Sequence, residues 1–447
     1  MPSNYVLLER IELNASAASV TFSNIPQSGY TDLKIVLSAR TDTNDGSSGQ
    51  WAYVNFNGAT TNNSVRVLYG YGSGTGSLSA SSPTPYGAYV EPSNFTSTTF
   101  SNTEVYIPNY TTSNNKSYSI DSVTENNATG GYSNLTAGLW SNTAAITSVV
   151  LTPAGGNFVQ YSTFSLYGLA AVGTTPVIAP KASGGNIQTD GTYWYHTFLS
   201  SGTFTPAVAL SCNALVIAGG GGGGADAGGG GGAGGLLAFT SQSLTAQSYT
   251  VTVGAGGPGG PINTLGTVGA DSQLGALTLV KGGGYGNRSG SGGAGGSGGG
   301  GSGRGKVTGV DDAGGTATSG QGNNGGAGHG DNAPTTSQSG GGGGGAGAVG
   351  SAASAAVGGN GGAGTNAYSS YATATSTGVS GYYAGGGGGA PYTAGTYGTG
   401  GLGGGGSAAS SGVAGTTNTG GGGGASANAG TGGAGGSGIV IIRYTVA

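Results

Sequence analysis

Glycine is the residue that most constrains what this chain can fold into. It supplies 106 of 447 residues. Uninterrupted runs recur between about 219 and 436: Gly219–Gly224, Gly228–Gly232, Gly298–Gly301, Gly340–Gly345, Gly385–Gly389 and Gly420–Gly424. Ordering glycine costs more backbone entropy than ordering any other residue, and few side chains are at hand to offset that cost. A glycine-rich composition without a repeat commonly signals disorder. Expanded disordered chains are usually held open by charge, however, and only 6% of these residues are charged. The runs keep no Gly-X-Y period, which argues against a collagen triple helix. A compact form has to pair every buried N–H and C=O. Packed polyglycine II-type helices do this, because they have three residues per turn and no internal hydrogen bonds. Without side chains, neighbouring helices can approach and bond through their backbones.

The rest of the chain reads as short strands between polar turns, with no apolar 3.6-residue period sustained over three turns. Candidate strands are Tyr5–Leu13, Ser19–Ile25, Leu33–Arg40, Trp51–Phe56, Val65–Tyr69, Glu104–Ile107, Tyr118–Val123, Ala137–Trp140, Ile146–Leu151 and Phe164–Leu169. Asn57-Gly58 and Asp45-Gly46 mark turns. Such spacing predicts a jelly-roll-like β-sandwich over residues 1–170. Residues 171–192, with Pro176 and Pro180, read as a linker. Residues 193–447 form the expected glycine-rich domain. Its strands are predicted at Tyr193–Phe204, Ala214–Ala218, Leu236–Phe239, Tyr249–Val253, Leu277–Val280 and Ile439–Val446. The first and last of these are expected to be neighbours, since the loops between them are otherwise too long for a compact domain. The fold class is therefore all-β: a sandwich, then packed polyglycine II-type helices on a β framework.

Composition also narrows function. Eleven basic and 15 acidic residues give a net charge of -4, with no basic stripe to displace counterions from nucleic acid. No apolar stretch is long enough for a membrane-spanning helix. Met1–Leu13 lacks the basic and apolar regions of a secretory signal. The single cysteine, Cys212, rules out an internal disulfide and a cysteine zinc site. These features fit assembly in a bacterial cytoplasm and release by lysis.

Catalytic material is sparse. His196 lies in a candidate strand, and His329 lies in a glycine loop two residues from Asp331. No Gly-x-Ser-x-Gly elbow joins a strand to a helix. The many Gly-x-Gly-x-x-Gly matches lack the helix and acidic residue that a dinucleotide requires. Glu9, Glu12, Glu91, Glu104 and Glu125 are not paired by anything in the sequence as a glycosidase would need. Asp42-Thr43-Asn44-Asp45-Gly46 resembles the start of a calcium loop, but Tyr53 stands where a bidentate glutamate is required, so an Asx-rich turn is the better reading. We expect no catalytic residue, no cofactor and no metal.

Two stretches carry a resemblance. Phe22–Gln27, Ser38–Thr41, Val54–Gly58, Gly138–Ser148 and Gly156–Leu169 resemble a module common in structural proteins of tailed bacteriophages. Leu215–Ala218 with the following glycine run, Tyr249–Gly257 and Gly436–Tyr444 resemble the glycine-rich domain of phage tail fibres and receptor-binding proteins. The resemblance implies a location on the virion surface, in a tail fibre or on the capsid exterior. Other virion proteins would be partners, together with a host surface glycan or outer-envelope protein. Homotrimers are common in fibres, and no coiled-coil heptad here enforces one. The expected function is non-enzymatic adhesion, with residues 1–170 as the virion-attachment module. The alternative is a capsid or tail decoration without a receptor. An ice-binding or matrix role is a third and weaker option.

Tyrosines among the glycines are the candidate receptor-binding residues: Tyr368, Tyr371, Tyr382, Tyr383, Tyr392 and Tyr397. Tyrosine offers a rigid face with a polar tip at low entropic cost. They form two clusters, at 368–371 and 382–397, about the run Gly385–Gly389, and connecting loops of a helix bundle are expected to meet at a common end. The bland reading is that they cap glycine helices or pack on the strands.

Overall fold

The computed structural model describes residues 5–44, 50–81, 87–125, 130–170, 180–304, 311–330 and 337–446. Among them the protein is all β apart from one short helix, Ser369–Thr375. It divides into two compact units. One comprises 1–180, 186–194 and 445–447; the other comprises 181–185 and 195–444.

The first unit contains β1 (Tyr5–Glu12), β2 (Val20–Phe22), β3 (Tyr30–Ser38), β4 (Gln50–Phe56), β5 (Asn63–Tyr71), β6 (Gly74–Ser81), β7 (Ala88–Val90), β8 (Asn102–Ile107), β9 (Lys116–Glu125), β10 (Gly131–Trp140), β11 (Val149–Pro153) and β12 (Thr163–Ala170). One sheet runs β1-β12-β3-β8 and the other β2-β11-β4-β7. That interleaving of eight antiparallel strands is jelly-roll topology. Two hairpins are inserted into it, and they extend the first sheet in the order β9-β10-β5-β6. Residues buried on one face alternate with exposed ones along β9 without a break, as a half-buried strand requires. The core between the sheets gathers Phe22, Leu33, Ile35, Val54, Phe56, Val105, Ile120, Trp140, Leu151, Phe158, Phe164 and Leu166.

Every candidate strand of 1–170 overlaps an observed one. β6 escaped sequence reading because Gly-Thr-Gly-Ser-Leu-Ser-Ala-Ser holds one β-branched residue and no aromatic. Its pairing with β5 makes it a strand. Within the stretch read as a linker, 171–179 lie outside the described residues. Further on, β13 (Ala182–Ser183) and β14 (Asn186–Thr189) are strands, and β14 pairs with β1 through Arg10 and Ile187.

The second unit continues with β15 (Tyr193–Phe198), β16 (Gly202–Pro206), β17 (Leu210–Ile217), β18 (Leu236–Leu244), β19 (Tyr249–Thr252), β20 (Gln273–Leu274), α1 (Ser369–Thr375) and β21 (Ile439–Thr445). β18, β17, β21 and β15 lie side by side, so the first and last predicted strands of this region are indeed neighbours. β13, β16, β19 and β20 form a small sheet. Tyr193–Phe204 splits into β15 and β16, and the strand expected at Leu277–Val280 is reduced to a bridge between Val280 and Ser272.

Between these strands the glycine runs form a lattice. The first run shows its rule. Gly219, Gly222 and Ala225 donate to the carbonyls of Ala270, Thr267 and Thr264; Gly220 and Gly223 donate to Gly436 and Gly433; Gly221 and Gly224 donate to Gly232 and Gly229, all at 2.9–3.1 Å. Every third residue thus faces the same neighbour, as three residues per turn demands. The carbonyls obey the same period. Those of Gly220 and Gly223 accept from Gly257 and Gly260, those of Gly219 and Gly222 from Gly283 and Gly286, and those of Gly221 and Gly224 from Gly423 and Ser426. Six runs therefore surround this one.

Those six also bond to one another in a closed ring. Ala270 donates to Ala255, Gly435 to Gly257, Gly433 to Gly424, Gly231 to Gly423, Gly232 to Gly284, and Gly269 to Gly283. This is hexagonal packing of polyglycine II-type helices. The six uninterrupted glycine runs are its interior and are buried along their whole length. Outer runs keep glycine only where they face the lattice. In 254–261 the residues Ala255, Pro258 and Pro261 are exposed, while Gly254, Gly257 and Gly260 are buried; Thr431 and Ala434 follow the same rule.

Candidate functional site

The lattice has two ends. Strands β17, β18, β19, β20 and β21 all join glycine runs at one of them, through residues 218, 235, 253, 271 and 438. At the other end the runs reverse through tight turns. Ala225 bonds to Thr264, Gly303 to Ala227, Ala390 to Gly228, Tyr392 to Gln338 and Asn428 to Tyr392, so turns near 226, 263, 288, 392 and 428 gather there.

This arrangement separates the six tyrosines. Ala384 opens the run that ends at Ala390, and that run spans about 20 Å at 3.1 Å per residue. Tyr368, Tyr371, Tyr382 and Tyr383 lie at the strand end, whereas Tyr392 and Tyr397 lie at the far end. The expectation of a common end fails because the rod Gly385–Gly389 divides the cluster 382–397, with Tyr382 and Tyr383 before it and Tyr392 and Tyr397 after it, and the two termini of a rod point apart. Loops that meet are those separated by two runs.

Burial divides the set again. Tyr383 is fully buried, its hydroxyl 2.6 Å from that of Thr377, and burial raises its pKa. Tyr371 is 6% exposed and sits edge-on to Tyr195 in β15, with the Arg443 guanidinium 4.3 Å from its ring centre. Tyr371 packs α1 against β15, and Tyr383 holds the turn after α1 through Thr377, which is the bland reading. Tyr368 stands edge-on to Tyr371, and Tyr382 bonds weakly to Asn366 at 3.4 Å. Of the six, only Tyr397 is exposed, at 37%; Tyr368, Tyr382 and Tyr392 are half-buried.

At the far end a charged cluster ties three turns together. The buried carboxylate of Asp226 pairs with Arg288 at 3.0 Å and with Arg304. Arg288 also reaches Asn263 at 3.2 Å, and Arg304 lies 4.8 Å over the ring of Tyr392. Sequence reading missed this cluster because the three residues are scattered over almost eighty positions of glycine-rich chain. Ile262 and Val357 are exposed at the same end, and Val357 bridges to Thr396 beside Tyr397.

The residues considered for catalysis are placed separately. His196 is buried between the Gly184 carbonyl and the Tyr444 hydroxyl at 2.8 and 2.9 Å, and desolvation lowers its pKa to about 4. It is a packed neutral imidazole. Burial raises the Cys212 thiol to about 11, which leaves it unreactive. His329 lies 3.5 Å from Asp311; Asp331 is outside the described residues. Asp42 accepts from the backbone and side chain of Asn157 at 2.7 and 3.0 Å, which lowers its pKa and joins two loops of the sandwich. Asp45 and Gly46 of that turn are not described. Glu12 pairs with Arg10 and Glu104 with Lys34, both at 2.8 Å.

Among the described residues, the protein thus combines a jelly roll with a hexagonal glycine lattice whose runs hold the ends of the connecting turns by backbone hydrogen bonds. A family model described as a glycine-rich domain matches residues 198–445, and the chain belongs to that family. No curated protein and no solved structure matches it.

Proposed function

We propose that this chain is a virion surface protein of a tailed phage, of the fibre or adhesin kind, which binds the host envelope without catalysing a reaction. The turns at the far end of the lattice are its recognition surface. The observation that carries this reading is the lattice itself. Its interior is backbone alone, so it can recognise nothing, while it holds the turns rigidly and leaves their sequences free. Those turns present Tyr392, Tyr397, Ile262, Asn263, Arg288 and Arg304, a mixture of aromatic, apolar and hydrogen-bonding groups suited to a glycan or an outer-envelope protein. The phage-like sandwich supports attachment to other virion proteins.

Adsorption of the full chain to host cells tests the proposal. Replacing Tyr392 and Tyr397 by alanine is expected to weaken binding by roughly 10-fold or more, as loss of one or two aromatic contacts of about 1–2 kcal/mol implies. The single variant Tyr397→Ala should melt as the parent does, since Tyr397 is exposed, whereas Tyr392 is half-buried beneath Arg304. A paired variant at the strand end, Tyr368→Ala with Tyr382→Ala, should bind as the parent does. Adsorption that follows the second pair and ignores the first would overturn the assignment.

A further inference from the structure

The inserted hairpins end in a strand built to pair again. β6 is the last strand of its sheet, and among the described residues its backbone bonds only to β5. It pairs with β5 from Ser64 opposite Ser81 to Tyr71 opposite Gly74 with no irregularity. Its outer row of N–H and C=O groups is therefore straight and has no backbone partner among the described residues. Soluble proteins usually blunt such an edge with charge, proline or a bulge, because an open edge templates another strand. β6 has none of the three: its sequence is Gly-Thr-Gly-Ser-Leu-Ser-Ala-Ser.

The other long edge strand differs. β18 also lies last in its row, but its register with β17 slips between Cys212 and Ala214, where Ser241 takes a left-handed φ of 52°. That bulge twists its edge away from a straight partner.

We propose that β6 is a homotypic interface, joining a second copy of this chain edge to edge in an antiparallel sheet. The strand is its own complement. Antiparallel pairing about a two-fold axis sets the Thr and Ser positions against one another on one face and Gly74, Gly76, Leu78 and Ala80 against one another on the other, and brings no like charges together in the strand. Opposed hydroxyls of Thr75, Ser77, Ser79 and Ser81 can bond across it. Arg66, the nearest cation, donates to Ser79 from the adjacent strand, and two intervening β6 strands separate it from its symmetry mate. The interface is isologous, so it closes at two copies and does not propagate as a fibre.

Light scattering on the full chain across a dilution series is the test, alongside amide exchange. A species of twice the chain mass is expected, with exchange of the 74–81 amides slowing as concentration rises. Thr75→Lys with Ser77→Lys should leave one chain per particle and restore fast exchange. These positions lie opposite Gly70 and Leu68, so neither lysine stands directly opposite a charge on β5, and the melt of the variant should match that of the parent at dilutions where the parent is one chain per particle. A parent that stays monomeric, a trimer, or a dimer that ignores the lysines would each overturn the proposal. Exchange at 74–81 that is fast at every concentration would do the same without any mutation.

Discussion

At Gly231 a single methyl group would overlap the carbonyl of Gly221, which belongs to a neighbouring run. The same holds for Gly221 against Gly284, Gly343 against Gly231 and Gly387 against Gly423. In each case the obstacle is backbone, held by its own hydrogen bonds, so no side chain can swing aside. Gly231→Ala is expected to destabilise the glycine-rich unit by about 3 kcal/mol or more, the upper range for overpacking. Thr431→Ala, at an exposed position of an outer run, should change stability by less than about 0.5 kcal/mol. Denaturant melts of the two variants check the contrast. Residue identity alone marked the interior: unbroken glycine is needed only where all sides of a helix meet backbone. Tyr371 and Tyr383 gave no such sign, because a tyrosine between glycines reads the same whether its ring is buried or free.

The elements of the sandwich show how one side chain can hold a loop that has no regular structure. Arg40 follows β3 and is buried. Its Nη1 donates to the carbonyls of Thr96 and Thr99 at 2.8 and 3.0 Å, and its Nη2 to those of Ser93 and Phe95 at 2.9 and 3.0 Å. Nearby Glu91 is buried as well; desolvation raises its pKa, while Thr99 and the Arg40 charge oppose the rise. The planar fork of a guanidinium can serve four acceptors in one plane; a compact ammonium cannot. Arg40→Lys is expected to cost about 2–4 kcal/mol, because buried carbonyls lose their donors. Protease cleavage between 92 and 100 should rise with it, and unchanged cleavage together with an unchanged melt would refute the role. Sequence reading found the period-2 strands around this loop and missed both the clamp and β6, since each depends on a partner distant in the chain.

For the molecule as a whole, pH enters through a contact between its first strand and residue 188. Glu9 on β1 is buried and accepts one bond from Gln188 at 3.1 Å; desolvation outweighs that bond and raises its pKa from 4.5 to about 8. The folded state therefore binds a proton that the unfolded chain has released above pH 4.5. Stability from this group is full below pH 4.5 and falls as pH rises toward 8, by up to roughly 1.4 kcal/mol per pH unit. Glu9→Gln should remove that slope, seen as a gap between variant and parent melts that widens from pH 5 to pH 8; a constant gap would refute it. The glycine runs and the alternating strands were decided by the sequence alone, because a three-per-turn backbone lattice and a half-buried sheet each require one local pattern. Tertiary structure decided which runs became neighbours, which end of a rod each tyrosine occupies, and that a weak strand such as β6 exists. Glycine presents the same backbone on every side, so its sequence carries no information about its partners, and only packing could choose among them.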